Sequence, residues 1–367
     1  MKLLHVAPFY DPGWQYGGMA RAATGLCVAL ARRGHAVTVA TARLAPEDAL
    51  DEMRDGVRVL RLPGPRALLE RLLPWGRGLS AWIEGREPAF DVAHIHGHRS
   101  GLALSAARAL AHARVPYVLQ PHGTYPTHGQ LRTAKWAFDR LGGDRVVAGA
   151  AALVAVSRAE ARDLPRPAHV VPNGVEPCGP VGIAERPKPP RLLFVGSDRF
   201  RRKRADRLPR LLADLPGVEL DLVGAFSPSF PSTFGAASAR VHRLGVLSGA
   251  ARGRAYAEAH LLVHPAVAEA FGLVPFEAAL SGTAAVVAGD HGCGDWFAQA
   301  GGCVIAPDDS AALLDAVRRR LADPALAASE AQRVAAFARR ELTWDRAAAA
   351  IEGVYREASA LGAWGAA

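Results

Sequence analysis

Two glutamates, Glu269 and Glu277, are separated by seven residues in the stretch HPAVAEAFGLVPFEAALSG. The pattern around them reads as a strand-to-helix junction. With Glu269 in the loop and Glu277 about two turns into the helix, both carboxylates can face one ligand. The plain alternative is a favourable acid at a helix N-terminus followed by an ordinary surface glutamate. Phe271, Gly272 and Leu273 form the turn between them. Upstream lies a cationic run, Arg199, Arg201, Arg202 and Lys203. A cation there can hold an anionic ligand electrostatically. The same run also reads as a solvated charged face. Near the start, Gly17-Gly18 sits where a strand meets a helix. Without Cβ atoms its amides can approach a diphosphate or sugar, and the helix N-terminus favours negative charge. His94, His96 and His98 alternate at strand spacing, which admits a metal reading. A strand-end histidine is more often packed and hydrogen-bonded, and the chain has no D-x-D motif for a metal-bound diphosphate. His122, in Gln120-Pro-His-Gly-Thr, follows a strand of its own and is a separate candidate.

The elements that must position these residues come in two series. In the first, Leu3–Ala7, Val37–Thr41, Val57–Leu60, Asp91–His96, Tyr117–Gln120 and Leu153–Val156 read as strands with helical stretches among them. An amphipathic stretch from about Gly18 to Arg33 is stopped by Gly34 in the C′ position. Pro177–Pro190, rich in proline and glycine, reads as a linker. The pattern then restarts with Arg191–Val195, Glu219–Val223, Leu261–His264, Ala284–Ala288 and Cys303–Ala306, and with a helix expected to be capped by Ser310. Strands separated by helices imply parallel pairing in a doubly wound sheet. The expectation is an α/β protein of two Rossmann-like halves facing a central cleft, lined by the carboxyl ends of both sheets. The tail is helical, Ala325–Glu341 and then Trp344–Ala360.

Composition narrows the function classes. The 367 residues exceed one ordinary core, and half of them are hydrophobic, which excludes extended disorder. No apolar run reaches the ~18 residues of a membrane-spanning helix. Four cysteines without pairing or metal spacing fit a reducing compartment, so a soluble, cytoplasmic protein is expected. The net charge is +9 and uneven: residues 1–184 carry 22 Lys+Arg against 15 Asp+Glu (+7), the remainder 22 against 20 (+2). That asymmetry suits an anionic partner in the first half. Only four of the cations are lysines, a bias that a GC-rich genome would produce. Residues 56–86, with six arginines against Glu70 and Glu84 and with Trp75 and Trp82, read as a surface able to touch an anionic membrane. An amphipathic helix packed on the sheet with a basic outer face explains them equally. A dinucleotide-dependent dehydrogenase does not fit. Gly13-x3-Gly17-Gly18 is not G-x-G-x-x-G, and the second strand ends at Arg43 without the ribose-binding acid.

Taken in order, Gly17-Gly18, Asp91-Val-Ala-His-Ile-His-Gly, Gln120-Pro-His-Gly, Val171-Pro-Asn-Gly-Val, Phe194-Val-Gly-Ser with Lys203, the Glu269–Glu277 pair and Leu342-Thr-Trp-Asp resemble one family. It is that of the retaining GT-B glycosyltransferases of glycogen synthase/mannosyltransferase type, family four (glycosyl transferases group 1). The resemblance covers nearly the whole chain. It implies an acceptor-binding domain over 1–180, a nucleotide-sugar-binding domain over 181–345 and a C-terminal helix, 346–367, able to cross back to the first domain. It implies a nucleoside diphosphate sugar donor, UDP- or GDP-linked, and a saccharide, lipid-linked or small-molecule acceptor, with no cofactor, no catalytic metal and no nucleic acid. Localisation would be cytoplasmic, with contact at the inner face of the membrane through 56–86. By the same resemblance, Glu277 takes the ribose hydroxyls, Glu269 contacts the sugar near its anomeric carbon, and His122 positions the sugar. Lys203, Arg199 and the Gly17-Gly18 amides hold the diphosphate, and the Phe271-Gly272-Leu273 turn completes the donor site. Val241–Gly245 resembles the segment whose backbone recognises the base. One departure stands out: the family's phosphate-binding arginine falls at position 197, where this chain has Ser197. A nucleotide-sugar 2-epimerase of the same architecture and a non-catalytic nucleotide-sugar-binding protein remain open at this stage.

Overall fold

The computed structural model describes residues 1–11, 17–45, 47–63, 78–85, 90–125, 132–179 and 185–364. Gly13, the centre of the basic stretch (64–77) with Arg86, and linker residues 180–184 lie outside them. The chain forms two compact units: Met1–Gly174 with Trp344–Ala367, and Val175–Thr343. The first division therefore precedes the proline-rich stretch rather than falling at 180/181, and the second falls at 343/344 rather than 345/346. At the division the two crossings of the chain are tied together, the Val175 amide donating to the Leu342 carbonyl at 2.8 Å.

The first unit holds β1 (Lys2–Val6), β2 (Ala36–Arg43), β3 (Asp51–Arg54), β4 (Val57–Pro63), β5 (Val92–His96), β6 (Tyr117–Gln120), β7 (Ala152–Ala155) and β8 (His169–Val170). Their order across the sheet is β3-β4-β2-β1-β5-β6-β7-β8. Every residue of β5, β6 and β7 is buried. That is why these segments read as continuous apolar runs: helices cover both faces of a parallel sheet. The helices are α1 (Gly18–Arg32), α2 (Leu79–Glu84), α3 (Gly101–His112), α4 (Arg132–Phe138), α5 (Asp144–Ala148) and α6 (Arg158–Asp163). In the second unit β9 (Arg191–Val195), β10 (Glu219–Val223), β11 (Val241–Gly245), β12 (Leu261–His264), β13 (Ala285–Ala288) and β14 (Cys303–Ile305) build a parallel sheet of order β11-β10-β9-β12-β13-β14. Around it lie α7 (Leu208–Ala213), α8 (Gly249–Glu258), α9 (Leu273–Leu280), α10 (Gly292–Gln299), α11 (Ser310–Ala322) and α12 (Pro324–Glu341). The last helix, α13 (Trp344–Trp364), belongs to the first unit.

Three expectations are corrected. Pairing is not wholly parallel, because β3 runs antiparallel to β4. Asp-Glu-Met-Arg has no apolar alternation to announce a strand. Cross-strand ion pairs, Arg58 with Asp51 and Arg61 with Glu52, hold it instead. Those two arginines belong to the basic 56–86 stretch, so they are committed within the protein, and the strand expected over Val57–Leu60 runs on to Pro63. Finally, α11 is capped by Asp309, whose carboxylate accepts from the Ala312 amide at 2.8 Å, and Ser310 is its first helical residue. Among the described residues no helix is long and apolar enough to cross a membrane.

How α13 docks explains the Leu-Thr-Trp-Asp signature. The Trp344 indole lies against Gly25 of α1 and Gly174, and a Cβ at either glycine would overlap it. Ala347, Ala348, Ile351, Val354, Tyr355 and Ala358 then form a helical stripe buried against Leu26, Leu30 and Val39. At its edge Glu352 accepts from Arg33 Nε (2.5 Å), Arg33 Nη2 (2.9 Å) and His35 Nε2 (3.0 Å). The hydrogen bonds from Arg33, reinforced by His35 and both charges, hold the Glu352 carboxyl down at about 2. A depressed folded-state value means stability that is complete above the ordinary range near 4.5 and lost as pH falls through about 2. Glu352→Gln is therefore expected to destabilise by about 1 kcal/mol at pH 7, allowing for solvent screening. The gap from the native protein should be smaller in melts at pH 3 than at pH 7, closing only below about pH 2. An equal gap at both pH values would contradict the assignment.

Candidate active site

In the second unit the chain winds from β9 outward to β11 and then returns to β12 on the other side of β9. Open α/β sheets accept ligands outside the strands' carboxyl ends at such a reversal. The loops that leave β9 and β12 there carry Lys203 and Glu269. After β9 the backbones crowd: a Cβ on Gly224 would overlap the Gly196 carbonyl. A 3-10 turn, Arg201–Lys203, follows, closed by the Lys203 amide on the Phe200 carbonyl at 2.8 Å. The Val267 amide donates to the Arg202 carbonyl at 2.9 Å and joins the two loops. This brings the Lys203 ammonium into an ion pair with Glu269 Oε1, the two side chains being 17% and 14% exposed. Burial would raise the Glu269 carboxyl; the charges of Lys203 and then Arg202, with the Lys203 hydrogen bond, override it and hold it at about 2. His264, at the end of β12, is pushed down to about 3 by burial and by Lys203, so it is neutral at pH 7.

The β12 loop ends at Gly272, which caps α9 with φ +76°. A side chain there would be strained and would overlap Cys293 Sγ, so the turn requires glycine. No side chain caps α9 and no acid stands in its first turn, which leaves the Leu273 and Val274 amides pointing out of the helix start. Phe271 and Leu273 are buried, Phe271 stacking on Phe276 with ring centroids 5.6 Å apart, and they contribute backbone rather than side chain. His291 braces the loop from α10: its Nε2 donates to the Ala266 carbonyl (2.9 Å), while Nδ1 accepts from the Gly294 amide (3.2 Å). Glu277 lies in the second turn of α9. It is no surface glutamate, being wholly buried. The Tyr256 hydroxyl donates to its Oε2 at 2.8 Å, and Arg252 Nη2 lies 3.7 Å from Oε1. Ser197 is turned inward, donating to the Ala225 carbonyl at 2.6 Å. Arg199 is exposed, and its guanidinium has no ion-pair partner among the described residues. Lys203, Glu269 and the Phe271–Leu273 turn are thus assembled, while Arg199 is not drawn into them.

In the first unit the winding reverses between β1 and β5. Gly17 (φ +102°) and Gly18 open α1 after β1, again with no side-chain cap and no acid in the first turn. Gly97, after β5, lies against Met19 of α1 and Thr124 of the loop after β6, so the three loops converge. His122 is held at φ +53°, an unusual conformation for a residue with a Cβ. Buried Glu160 fixes it, accepting from the Gly123 amide and, at 2.7 Å, from the Val156 amide. His122 Nε2 lies 2.9 Å from His96 Nδ1, and His96 Nε2 lies 3.0 Å from His5 Nδ1. Tyr355 of α13 meets His5 Nε2 at 3.2 Å and His94 Nδ1 at 2.7 Å. Burial lowers all four histidines, His5 and His122 to about 3. Although nitrogens of His5, His94 and His96 lie within 4.8 Å of one another, the His94 and His96 rings stack in parallel, 4.3 Å apart and 3° from coplanar. Their in-plane lone pairs lie in separate planes and do not converge on one ion. His98 is packed as a strand-end histidine, 3.1 Å from Thr124 Oγ1.

The sequence reading passed over several of these residues. His5 is isolated in β1, and Tyr355 is distant along the chain. Arg252 and Tyr256 stand at i, i+4 on α8, a spacing that places both on one helix face and was the one available signal. His264 and His291 carry no motif of their own.

Comparison with known proteins identifies the family of the chain. Residues 17–174 match the glycosyl transferase 4-like domain, and residues 189–323 match glycosyl transferases group 1. The chain is 31% identical to a D-inositol 3-phosphate glycosyltransferase of Xylanimonas cellulosilytica over 98% of its length and 96% of that protein. It is 28% identical to a glycogen synthase of Mycobacterium tuberculosis over 97% and 94%. Among solved structures it resembles sucrose-phosphate synthase from Thermosynechococcus elongatus (TM-score 0.77, 19% identity, 98% and 100% covered). It also resembles Anabaena Alr3699/HepE in complex with UDP-glucose (0.74, 19%, 96% and 99%). At that identity the structural likeness speaks for the fold, GT-B. With both family domains matched in sequence and a relative aligned over 96% of its length, the chain belongs to the group 1 glycosyltransferases and is a glycosyltransferase.

Proposed function

We propose that this enzyme moves a sugar from a nucleoside diphosphate sugar to a saccharide, lipid-linked or small-molecule acceptor in glycan or glycoconjugate biosynthesis, with retention at the anomeric carbon. The observation that carries the reading is the half-buried Lys203–Glu269 pair at the β9/β12 reversal, beside the uncapped start of α9. An ammonium and free helix amides suit a diphosphate, and a carboxylate held ionised suits sugar hydroxyls and an oxocarbenium-like centre. Lys203 is assigned to the leaving diphosphate and Glu269 to the sugar. Glu277 is assigned to the ribose. Leu244, within the segment assigned to the base, and Val246, just after it, are exposed. From the first unit, His122 is assigned to the transferred sugar and the Gly17-Gly18 amides to phosphate. The diphosphate charge is met by protein groups in this scheme, and no metal is invoked. UDP-glucose occupies the Anabaena relative, which supports a UDP-linked donor here. A conventional retaining hydrolase sets two carboxylates ~5–5.5 Å apart with one as nucleophile. With Glu277 committed to ribose, Glu269 acts electrostatically and same-face attack is guided by the departing diphosphate.

A thermal-shift screen with UDP, GDP, ADP and dTDP sugars tests the reading. At a hundred times Kd a ligand specific for the folded state adds about 2.7 kcal/mol. That corresponds to an upward shift of several degrees with one nucleotide class. No shift with any of them would remove the donor assignment.

A further inference from the structure

We propose that the outer face built by α3, α4, the π-helical turn Asp139–Gly143 and α5 docks on an anionic phospholipid surface. Its centre is a cavity of about 630 Å³ at the amino end of β6, within the size range of small-ligand sites. The loop that carries His122 leaves the other, carboxyl end of that strand. The cavity floor is apolar, with Leu104, Val115 and Val146 lining it and buried. Its charged lining is Arg108, Arg114 and Arg145, with no acid among the described lining residues. Among the described residues none of these three guanidinia has an ion-pair or hydrogen-bond partner. Leu104, Arg108 and Ala111 recur at i, i+4 and i+7, so one stripe of α3 faces the cavity. At Gly142 the turn comes so close to α3 that a Cβ would lie 3.1 Å from Leu104 Cδ2 and 3.9 Å from Arg108 Nη2. Arg114 follows the end of α3 with φ +54°, a left-handed conformation that usually selects glycine.

Charge and exposed apolar side chains together identify the occupant. Residues 101–149 carry six cations (Arg108, Arg114, Arg132, Lys135, Arg140, Arg145) against Asp139 and Asp144, a balance of +4. That is more than half of the +7 excess of residues 1–184. Asp139 is turned inward, 2.6 Å from Arg99 Nη2, so the outward balance is more positive still. Beside the cations stand two large apolar side chains that the fold leaves uncovered. Leu141, next to Gly142, is 79% exposed and Trp136 of α4 is 61% exposed. The Arg140 guanidinium lies 5.6 Å from the Trp136 ring centre. Tryptophan and leucine among basic residues suit the boundary between headgroups and acyl chains. An apolar floor with a cationic rim matches an amphiphile: phosphate on the forked guanidinia, methylenes below. The negative potential of an anionic bilayer draws in every cation near its surface. A flat acidic protein surface would meet the arginines but would leave the floor unfilled.

The experiment is co-sedimentation of the full-length protein with vesicles of phosphatidylcholine, alone or mixed equally with phosphatidylglycerol. The native protein is expected to pellet with the mixed vesicles, to be released by high salt, and to stay in solution with phosphatidylcholine alone. Arg108→Gln, Arg114→Gln and Arg145→Gln combined are expected to lower the vesicle partition coefficient on the order of 100-fold, about fivefold for each cation. Trp136→Ser with Leu141→Ser is expected to lower it about tenfold. All five side chains are exposed, so the variants should keep the native melting temperature. Arg254→Gln, Arg319→Gln and Arg339→Gln, exposed positions of the second unit, make the same change in net charge and are expected to bind as the native protein does. No pelleting of the native protein with mixed vesicles would overturn the proposal. So would equal pelleting with both vesicle types, or equal losses from the two arginine triples. A native dimer that Trp136→Ser with Leu141→Ser converts to a monomer would mean that a second copy covers the face, and would overturn it too. Binding is read without donor or acceptor, so failure here leaves the role proposed for Lys203 and Glu269 untouched.

Discussion

Lys203→Ala is expected to lower kcat on the order of 10²–10³-fold, the usual cost of removing one preorganised charge-stabilising group. The ammonium is 17% exposed, so its field acts through little water and no nearby solvent cation replaces it. The substitution also takes from Glu269 the charge that opposes burial. In the native enzyme the Glu269 carboxyl is held at about 2 and stays ionised across the working range, contributing no acid limb. Without Lys203, burial dominates and its titration moves upward. The residual activity of the variant should therefore show a new acid limb above the ordinary carboxylate range. Steady-state rates at saturating donor, followed from pH 4 to 9, measure both effects. Unchanged kcat would remove Lys203 from the leaving-group role, and reduced kcat without the limb would detach Glu269 from it.

The second large effect is expected on donor affinity. Glu277→Gln keeps the shape of the side chain and, through its amide oxygen, the bond from Tyr256. It loses the charge that strengthens a hydrogen bond from a ribose hydroxyl. Bonds to charged groups are worth roughly 1.5–3 kcal/mol, so the nucleotide Kd should rise about 10–100-fold in calorimetry while kcat at saturation changes far less. Because the carboxylate is wholly buried and flanked by Arg252, a purely structural role makes the opposite prediction. It would lower the melting temperature and leave Kd unchanged. Tyr256→Phe serves as the control, disturbing the same carboxylate without touching the nucleotide.

Most of the architecture was legible because buried parallel strands write themselves as short apolar runs between helices. Arg191–Val195, Glu219–Val223 and Leu261–His264 lie where those runs end. What escaped was structure held by other means. β3 is a charged edge strand fixed by ion pairs, β11 is a half-exposed edge, and β8 has two residues. Cap choice at α11 turned on one residue, because Asp309 and Ser310 are both good caps and only backbone geometry separates them. In the site, Glu269 could be named from its spacing to Glu277 at a strand-to-helix junction, and Lys203 from the family resemblance. Their pairing could not, since it depends on a 3-10 turn and on the Val267–Arg202 bond between loops. Arg199 was assigned by proximity along the chain, whereas in the structure its side chain is exposed. The histidine chain needed contacts spanning 350 positions, between Tyr355 and His5, which no local pattern encodes.

The central claim is that the second unit grips the donor diphosphate at the β9/β12 reversal. A crystal structure with the nucleotide sugar that most raises the melting temperature tests it directly. The account predicts phosphate oxygens within hydrogen-bond distance of the Lys203 ammonium and the Leu273–Val274 amides, with a sugar hydroxyl on Glu269. A diphosphate bound elsewhere, with Lys203 and Glu269 still paired only to each other, would contradict it.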